Sequence, residues 1–200
     1  MPDPVLHLLA GPNGAGKSTL FQRVIGPVTH LKFVNADELA AQHWPDGPEA
    51  HAYEASQLAA SVRKALLGER ASFVTETVFS HSSKLTLVED AKAAGYLVHL
   101  HVVVIPAGLA VARVADRVGR GGHSVPEGKI RERYERLWAI VAPAVAAADR
   151  ATVYDNSRAA TPLKVVAEFF NGAVSGTADW PAWTPAELRA LTLELSTAPA

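Results

Sequence analysis

A chain of 200 residues that is 48% hydrophobic and 20% charged can bury the core of one ordinary globular domain, with room for a small appendage. Its net charge of −1 gives no general attraction for nucleic acid or an anionic membrane, and no apolar run approaches the ~20 residues that cross a bilayer. The absence of cysteine excludes disulfides, thiol catalysis and cysteine-ligated zinc, and with no basic-then-apolar leader it fits a soluble cytoplasmic protein with a small-molecule partner.

The elements alternate. Val5–Ala10 is a short apolar run of the kind that forms a buried strand, and Leu20, Val24 and Ile25 recur after it at helical spacing. Between them lies Gly11-Pro12-Asn13-Gly14-Ala15-Gly16-Lys17-Ser18-Thr19, which fits the phosphate-loop pattern. Leu31–Asn35 reads as a second strand, with Asp37 just beyond its C-terminal end. A long helix over about 49–67 carries Tyr53, Leu58, Val62 and Leu66 on one side. Ala71–Glu76 is a third strand ending in a carboxylate, followed by a helix that Ser82 or Ser83 could cap and that Gly95 stops. Tyr96–Ile105 is the most strand-like run. Helices over about 108–118 and 126–148 flank the glycine-rich loop 119–125, and together they read as a lid over about 108–148. Thr152–Tyr154 is a fifth strand, Leu163–Phe170 a helix, and Pro185–Leu195 a terminal helix whose Leu188, Leu191 and Leu195 could dock. This order predicts an α/β fold: a parallel five-stranded sheet covered by helices on both faces, in a phosphate-loop domain over 1–172 with a tail over 173–200.

The phosphate loop has a physical logic. Glycines let the backbone turn so that its N–H groups and the helix N-terminus converge on phosphate, Lys17 brings a cation to the β- and γ-phosphates of ATP, and the Ser18 hydroxyl can reach Mg2+. The loop alone gives nucleotide binding, so other residues must decide the reaction. The guanine-reading Asn-Lys-x-Asp and the Leu-Ser-Gly-Gly-Gln of transporter ATPases are both missing, which puts a small kinase first. Phosphoryl transfer to an alcohol needs a carboxylate at the acceptor, cations over the transferred group and a lid against water. Asp37 is either the general base or the N-cap of the adjoining helix. Glu76 could bind acceptor hydroxyls, order magnesium water or cap the next segment of the chain, and His81 could contact substrate or be structural. On the first lid helix Arg113, Asp116, Arg117 and Arg120 share a face opposite Val111, Val114 and Val118. On the second, Arg131, Glu132, Glu135 and Arg136 pair four residues apart on the outer side, whereas Arg133 lies beside the apolar stripe. Arg117 and Arg133 are therefore the cations expected to close over phosphate, where a planar guanidinium spans two oxygens.

The ordered set formed by the phosphate loop, Val34-Asn35-Ala36-Asp37, Glu76-Thr77-Val78-Phe79-Ser80-His81, Arg117-Val118, Gly121–Pro126, Arg133-Tyr134 and Asp155-Asn156-Ser157 resembles the zeta toxin family of P-loop kinases. The resemblance spans Val5 to about Phe170. It implies ATP-dependent phosphorylation of the sugar 3′-hydroxyl of UDP-N-acetylglucosamine, with Lys17 and Ser18 holding nucleotide and magnesium. It further implies Asp37 as base, Glu76 and Thr77 at the acceptor, Arg117 and Arg133 on the transferred group, and Asn156 near the adenine; His81 and Arg120 complete the candidate acceptor contacts. The longer toxins are neutralised by a helical antitoxin over the ATP site. Here the loop begins at Gly11, and no upstream segment is expected to add to such an interface. The alternatives are a kinase of another hydroxyl compound, such as a nucleoside, antibiotic or cofactor, and a non-catalytic nucleotide-binding regulatory module.

Overall fold

The computed structural model describes residues 2–79, 81–119 and 125–193. Strands β1 (Val5–Ala10), β2 (Lys32–Val34), β3 (Phe73–Glu76), β4 (Leu97–Val104) and β5 (Arg150–Asp155) run parallel, at the five places the sequence predicts. Two more strands, β6 (Lys164–Phe170) and β7 (Ala173–Val174), are antiparallel, so the sheet is seven-stranded and mixed with the order β2-β3-β1-β4-β5-β6-β7. This corrects the five-stranded parallel expectation, and with it the helix expected over Leu163–Phe170. β5 would otherwise present an open row of N–H and C=O groups; β6 pairs with them and sets Phe169 opposite Ala151 and Ala167 opposite Val153.

Helices cover both faces. The phosphate loop leads into α1 (Lys17–Leu20), which continues through a π-helical turn, Phe21–Ile25, into α2 (Gly26–Thr29). The others are α3 (Ala36–His43), α4 (Ala52–Gly68) after a 3₁₀ turn at Pro48–His51, α5 (Ser83–Ala93), α6 (Ala107–Gly119), α7 (Glu127–Ala147) and α8 (Ala186–Leu193). Because side chains alternate along a strand, Leu6, Leu8, Leu100 and Val102 join Leu137 and Val141 of α7 in one core, while Leu9, Val103 and Ile105 join Leu20 and Val114 in another. Buried on both faces, β1 and β4 read as continuous apolar runs.

One packing expectation changes. The buried side of α4 is Ala55, Ala59, Arg63 and Leu66, and Tyr53 is exposed, because the small alanines let the helix lie close to its neighbours. Beyond β7, Leu188 of α8 is fully buried and Trp180 and Trp183 pack against the core, with Trp180 Nε1 donating to Thr192 Oγ1 at 3.1 Å. Removing a side chain such as Phe169 or Leu188 from water contributes about 1.5–3 kcal/mol each, which fastens β6 and α8 to the sheet. Leu195 lies outside the described residues.

Candidate active site

The five parallel strands present their C-terminal ends at one edge, and the phosphate loop leaves β1 there. Two glycines are needed for its path. Gly11 has φ 145° and a Cβ there would fall 2.4 Å from the carbonyl oxygen of Val103; Gly16 has φ 95° and its Cβ would meet Asn156 Nδ2 at 2.5 Å. Lys17 is buried and its Nζ donates to the carbonyls of Gly11 (3.1 Å) and Pro12 (3.0 Å). Glu76, at the end of β3, gathers three loop and strand groups. Its Oε2 accepts from the Ser18 hydroxyl at 2.8 Å and from Asn35 Nδ2 at 3.0 Å, and its Oε1 stands 3.6 Å from Lys17 Nζ.

The two readings of Asp37 are separated by Asn35. Asn35 is the N-cap of α3, its Oδ1 accepting the backbone N–H groups of Asp37 at 2.7 Å and Glu38 at 3.3 Å. Asp37 has no capping duty, and its carboxylate lies where three cavities meet. The first, about 300 Å³, is walled by Lys17, Ser18, Glu76, Arg113 and Arg117; the second, about 140 Å³, by Asn35, Arg63, Glu76, Thr77 and Lys84; the third, about 270 Å³, by Glu49 and Arg117. A phosphate loop, a carboxylate and an arginine thus share one cleft. Glu38, just outside it, has its carboxyl pushed up by burial and by the neighbouring charges of Glu76 and Asp37.

The remaining candidates divide. Thr77 lines the second cavity and its hydroxyl accepts the N–H of Phe79 at 3.3 Å. His81 stands exposed at the start of α5, where its Nδ1 accepts the Ser83 N–H at 3.2 Å; the turn is tied by this histidine, and Ser82, the N-cap, makes no capping bond with its side chain. His81 lines none of the three cavities, nor does Arg133, which is half-buried on α7. Arg120 and most of the 119–125 loop lie outside the described residues. Arg136 pairs with Glu132 at 3.4 Å as expected, whereas Arg131 pairs with Glu127 at 2.8 Å in place of Glu135. Asn156 backs the phosphate loop: its Nδ2 donates to the carbonyl of Ala15 at 2.7 Å and its Oδ1 accepts the N–H of Leu163.

Arg113, Arg63, Lys84 and a histidine cluster have places in the structure that the sequence reading does not assign. Arg113 donates to the carbonyls of Asn156 (2.9 Å) and Gly14 (3.4 Å), bracing the loop from α6. Its acceptors are backbone atoms, which leave no signature in sequence. His7, His99 and His101 bring three ring nitrogens within 4.8 Å of one another on β1 and β4, away from the cleft. The His-x-His spacing of β4 puts two of them on one face and is the signal that could have found them. A further cavity, about 350 Å³, lies between β6 and the tail, with Lys164, Asp179, Trp180 and Trp183 in its wall and no phosphate-loop residue.

A divalent cation is tested by its donors. Ser18 Oγ and the Glu76 carboxylate are hard oxygen ligands 2.8 Å apart beside the loop lysine, which suits Mg2+, an ion held through one or two protein oxygens with water and phosphate completing the shell.

Fold and cleft together define a P-loop kinase-like α/β protein. Residues 1–162 match the zeta toxin family, and the chain belongs to that family. Among solved structures it is similar to a chain from the PezAT chromosomal toxin-antitoxin system of Streptococcus pneumoniae (TM-score 0.63, 15% identity, 96% of this chain and 80% of that one). It is also similar to a chain of the AvrRxo1-ORF1:-ORF2 complex with ATP (TM-score 0.69, 18% identity, 99% and 66%), so it spans about two thirds of that chain's length. A third likeness is a putative kinase from Chloroflexus aurantiacus (TM-score 0.54, 15% identity, 68% and 79%). No curated protein sequence matches the chain. The family and the kinase folds support an ATP-dependent kinase. Among the described residues no helix is long and apolar enough to cross a membrane.

Proposed function

We propose that this protein transfers the γ-phosphoryl group of ATP to an alcohol, with the sugar hydroxyl of UDP-N-acetylglucosamine as the acceptor to test first. The observation that carries the reading is the Asp37 carboxylate, relieved of capping by Asn35 and shared by the phosphate-loop cavity and the cavity beside Thr77. The acceptor oxygen attacks the γ-phosphorus, the bond from that phosphorus to the β–γ bridging oxygen breaks, and ADP leaves; the hydroxyl proton passes to Asp37. Lys17 holds the β- and γ-phosphates, and the loop N–H groups and the α1 N-terminus orient them. Arg117, in the wall of the same cavity, balances charge on the transferred group. Ser18 and Glu76 would hold Mg2+, which when bound neutralises charge across the β- and γ-oxygens. The acceptor identity rests on the family resemblance. Because one structural neighbour comes from a toxin-antitoxin system, a protein inhibitor covering the nucleotide cavity is a partner of the kind this reading allows.

The test is mass spectrometry of wild type and Asp37→Asn with ATP, magnesium and a panel of sugar nucleotides, nucleosides and hydroxylated antibiotics. A positioned base contributes ~10²–10⁴-fold, so the variant should bind ATP and lose transfer by about that factor. Full activity in Asp37→Asn removes the base assignment. ATP binding without transfer to any compound favours the regulatory module instead.

A further inference from the structure

The 140 Å³ cavity beside Asp37 has an unusual wall. Ser56, Ala59 and Arg63 lie at i, i+3 and i+7 on α4 and so share the face that lines it, and the small Ala59 leaves space between the other two. Arg63 is buried, at 9% exposure, and Lys84 reaches the same cavity from the first turn of α5. Neither cation makes an ion pair or side-chain hydrogen bond among the described residues, although both long side chains have donors to spend. Asp37 and Glu76 line the cavity too, but Glu76 is engaged by Ser18, Asn35 and Lys17.

The electrostatics agree with the geometry. Burial pulls the Arg63 guanidinium below its usual range with no carboxylate opposing the shift, and Lys84 is lowered first by burial and then by the charge of Arg63 itself. Two like charges held together out of water are costly, and burying a charge without a partner is tolerated where a ligand supplies one. A structural ion pair would have brought a carboxylate onto these cations, whereas Asp37 and Glu76 line the same cavity without pairing with either. The α4–α5 side of the wall offers a guanidinium, an ammonium and a serine hydroxyl, which is the donor set for an oxyanion.

From this wall, and resting on the kinase reading above, we infer that Arg63 and Lys84 form an anion subsite that selects acceptor alcohols already carrying a phosphate or carboxylate group. The anion seats between α4 and α5 while the acceptor hydroxyl faces Asp37. Neutral alcohols leave the two cations unpaired and are discriminated against. The subsite therefore sets specificity, and the phosphoryl chemistry stays with the phosphate loop and Asp37.

The experiment is calorimetric titration of the whole protein, saturated with magnesium and a non-hydrolysable ATP analogue so that anions cannot enter the phosphate loop. The probes are N-acetylglucosamine, its 1-phosphate, UDP-N-acetylglucosamine and gluconate; the last separates carboxylate from phosphate. At least one anionic probe should bind, and more tightly than the neutral sugar. Arg63→Met and Lys84→Gln should each weaken that binding roughly 10- to 100-fold while leaving affinity for the ATP analogue unchanged. Arg63→Met should also keep or raise the thermal midpoint, since it removes an unpaired buried charge at similar volume. Equal binding of neutral and charged probes, no binding of any anionic probe, wild-type affinity in both variants, or a lowered midpoint in Arg63→Met overturns the inference. A parallel transfer assay separates the two readings: anion binding that depends on Arg63 without transfer to any probe keeps the subsite and removes the kinase.

Discussion

Ser18 and Glu76, 58 residues apart in the chain, are joined by a 2.8 Å hydrogen bond from hydroxyl to carboxylate that ties the phosphate loop to the end of β3. The same carboxylate is the near counter-charge of Lys17, itself only 5% exposed. Removing one partner of a buried pair leaves the other charge uncompensated. Glu76→Ala should therefore cost about 3 kcal/mol in the nucleotide-free protein. Saturating ATP should recover much of that loss, because phosphate supplies the missing negative charge beside Lys17. Chemical denaturation with and without nucleotide reads both quantities, and an equal loss in the two conditions would show that Glu76 acts through packing alone.

Asn35 carries two duties at once: its oxygen caps α3 and its amide nitrogen holds Glu76. Asn35→Ala loses a cap, about 1 kcal/mol, and one hydrogen bond to a carboxylate, about 1.5–3 kcal/mol. Asn35→Asp keeps the cap but faces Glu76 with a second negative charge in place of a donor. Both variants should fall in phosphoryl transfer, with Asn35→Asp the more stable at the helix. Circular dichroism melts beside a transfer assay test this, and a fully active Asn35→Asp would mean that the Glu76 contact is dispensable.

How far the sequence reached depends on which signals are local. The phosphate loop, its flanking strand and helix, and the carboxylates after β2 and at the end of β3 are all written in short contiguous stretches, and they occur where expected. The 164–170 segment was legible as ordered but not as a strand, because its Val-Val and Phe-Phe pairs fit helical spacing too. Its pairing with β5 depends on residues 9 to 20 positions before it in the chain. Asp37 was ambiguous for a similar reason: the competing cap, Asn35, is recognisable only once its oxygen is seen on the Asp37 and Glu38 amides. Arg63 was hidden by Tyr53, whose aromatic ring suggested the wrong buried stripe for α4. The true stripe is set by Ala55 and Ala59, small enough to approach the sheet.

Arg113 and Arg117 lie one helical turn apart on α6 and should fail differently. Arg113 braces the loop through the carbonyls of Asn156 and Gly14, and charge-assisted bonds of this kind are worth about 1.5–3 kcal/mol. Arg113→Ala should raise KM for ATP roughly tenfold and lower the thermal midpoint, leaving kcat within a few-fold. Arg117→Ala should instead lower kcat by roughly 10³-fold or more, as expected of a cation that balances charge on the transferred phosphoryl. Steady-state kinetics separate the two. Identical effects of both substitutions would refute the division of labour.

The histidine cluster gives the fold an acid limit. His7 Nδ1 and His101 Nε2 are 3.0 Å apart, His101 Nδ1 meets the Tyr154 hydroxyl at 3.2 Å, and His99 Nε2 meets Thr152 Oγ1 at 3.0 Å, with Arg150 near by on β5. Burial lowers all three rings, and the charges of neighbouring histidines and Arg150 add to the shift of His99 and His101, so that His99 falls to about 3 in all. Their folded pKa values lie below the unfolded value near 6.5, so as pH falls the unfolded chain takes up protons first. The contribution to stability is therefore complete above about pH 6.5 and is lost progressively toward about pH 3 for His99. His99→Gln should flatten the stability curve between pH 7 and 4 by roughly 2 kcal/mol, a figure already reduced for the partial exposure of the ring. Carboxylates titrate in the same window in both proteins, so the difference between the curves isolates the histidine, and parallel curves would show that His99 titrates normally in the folded state.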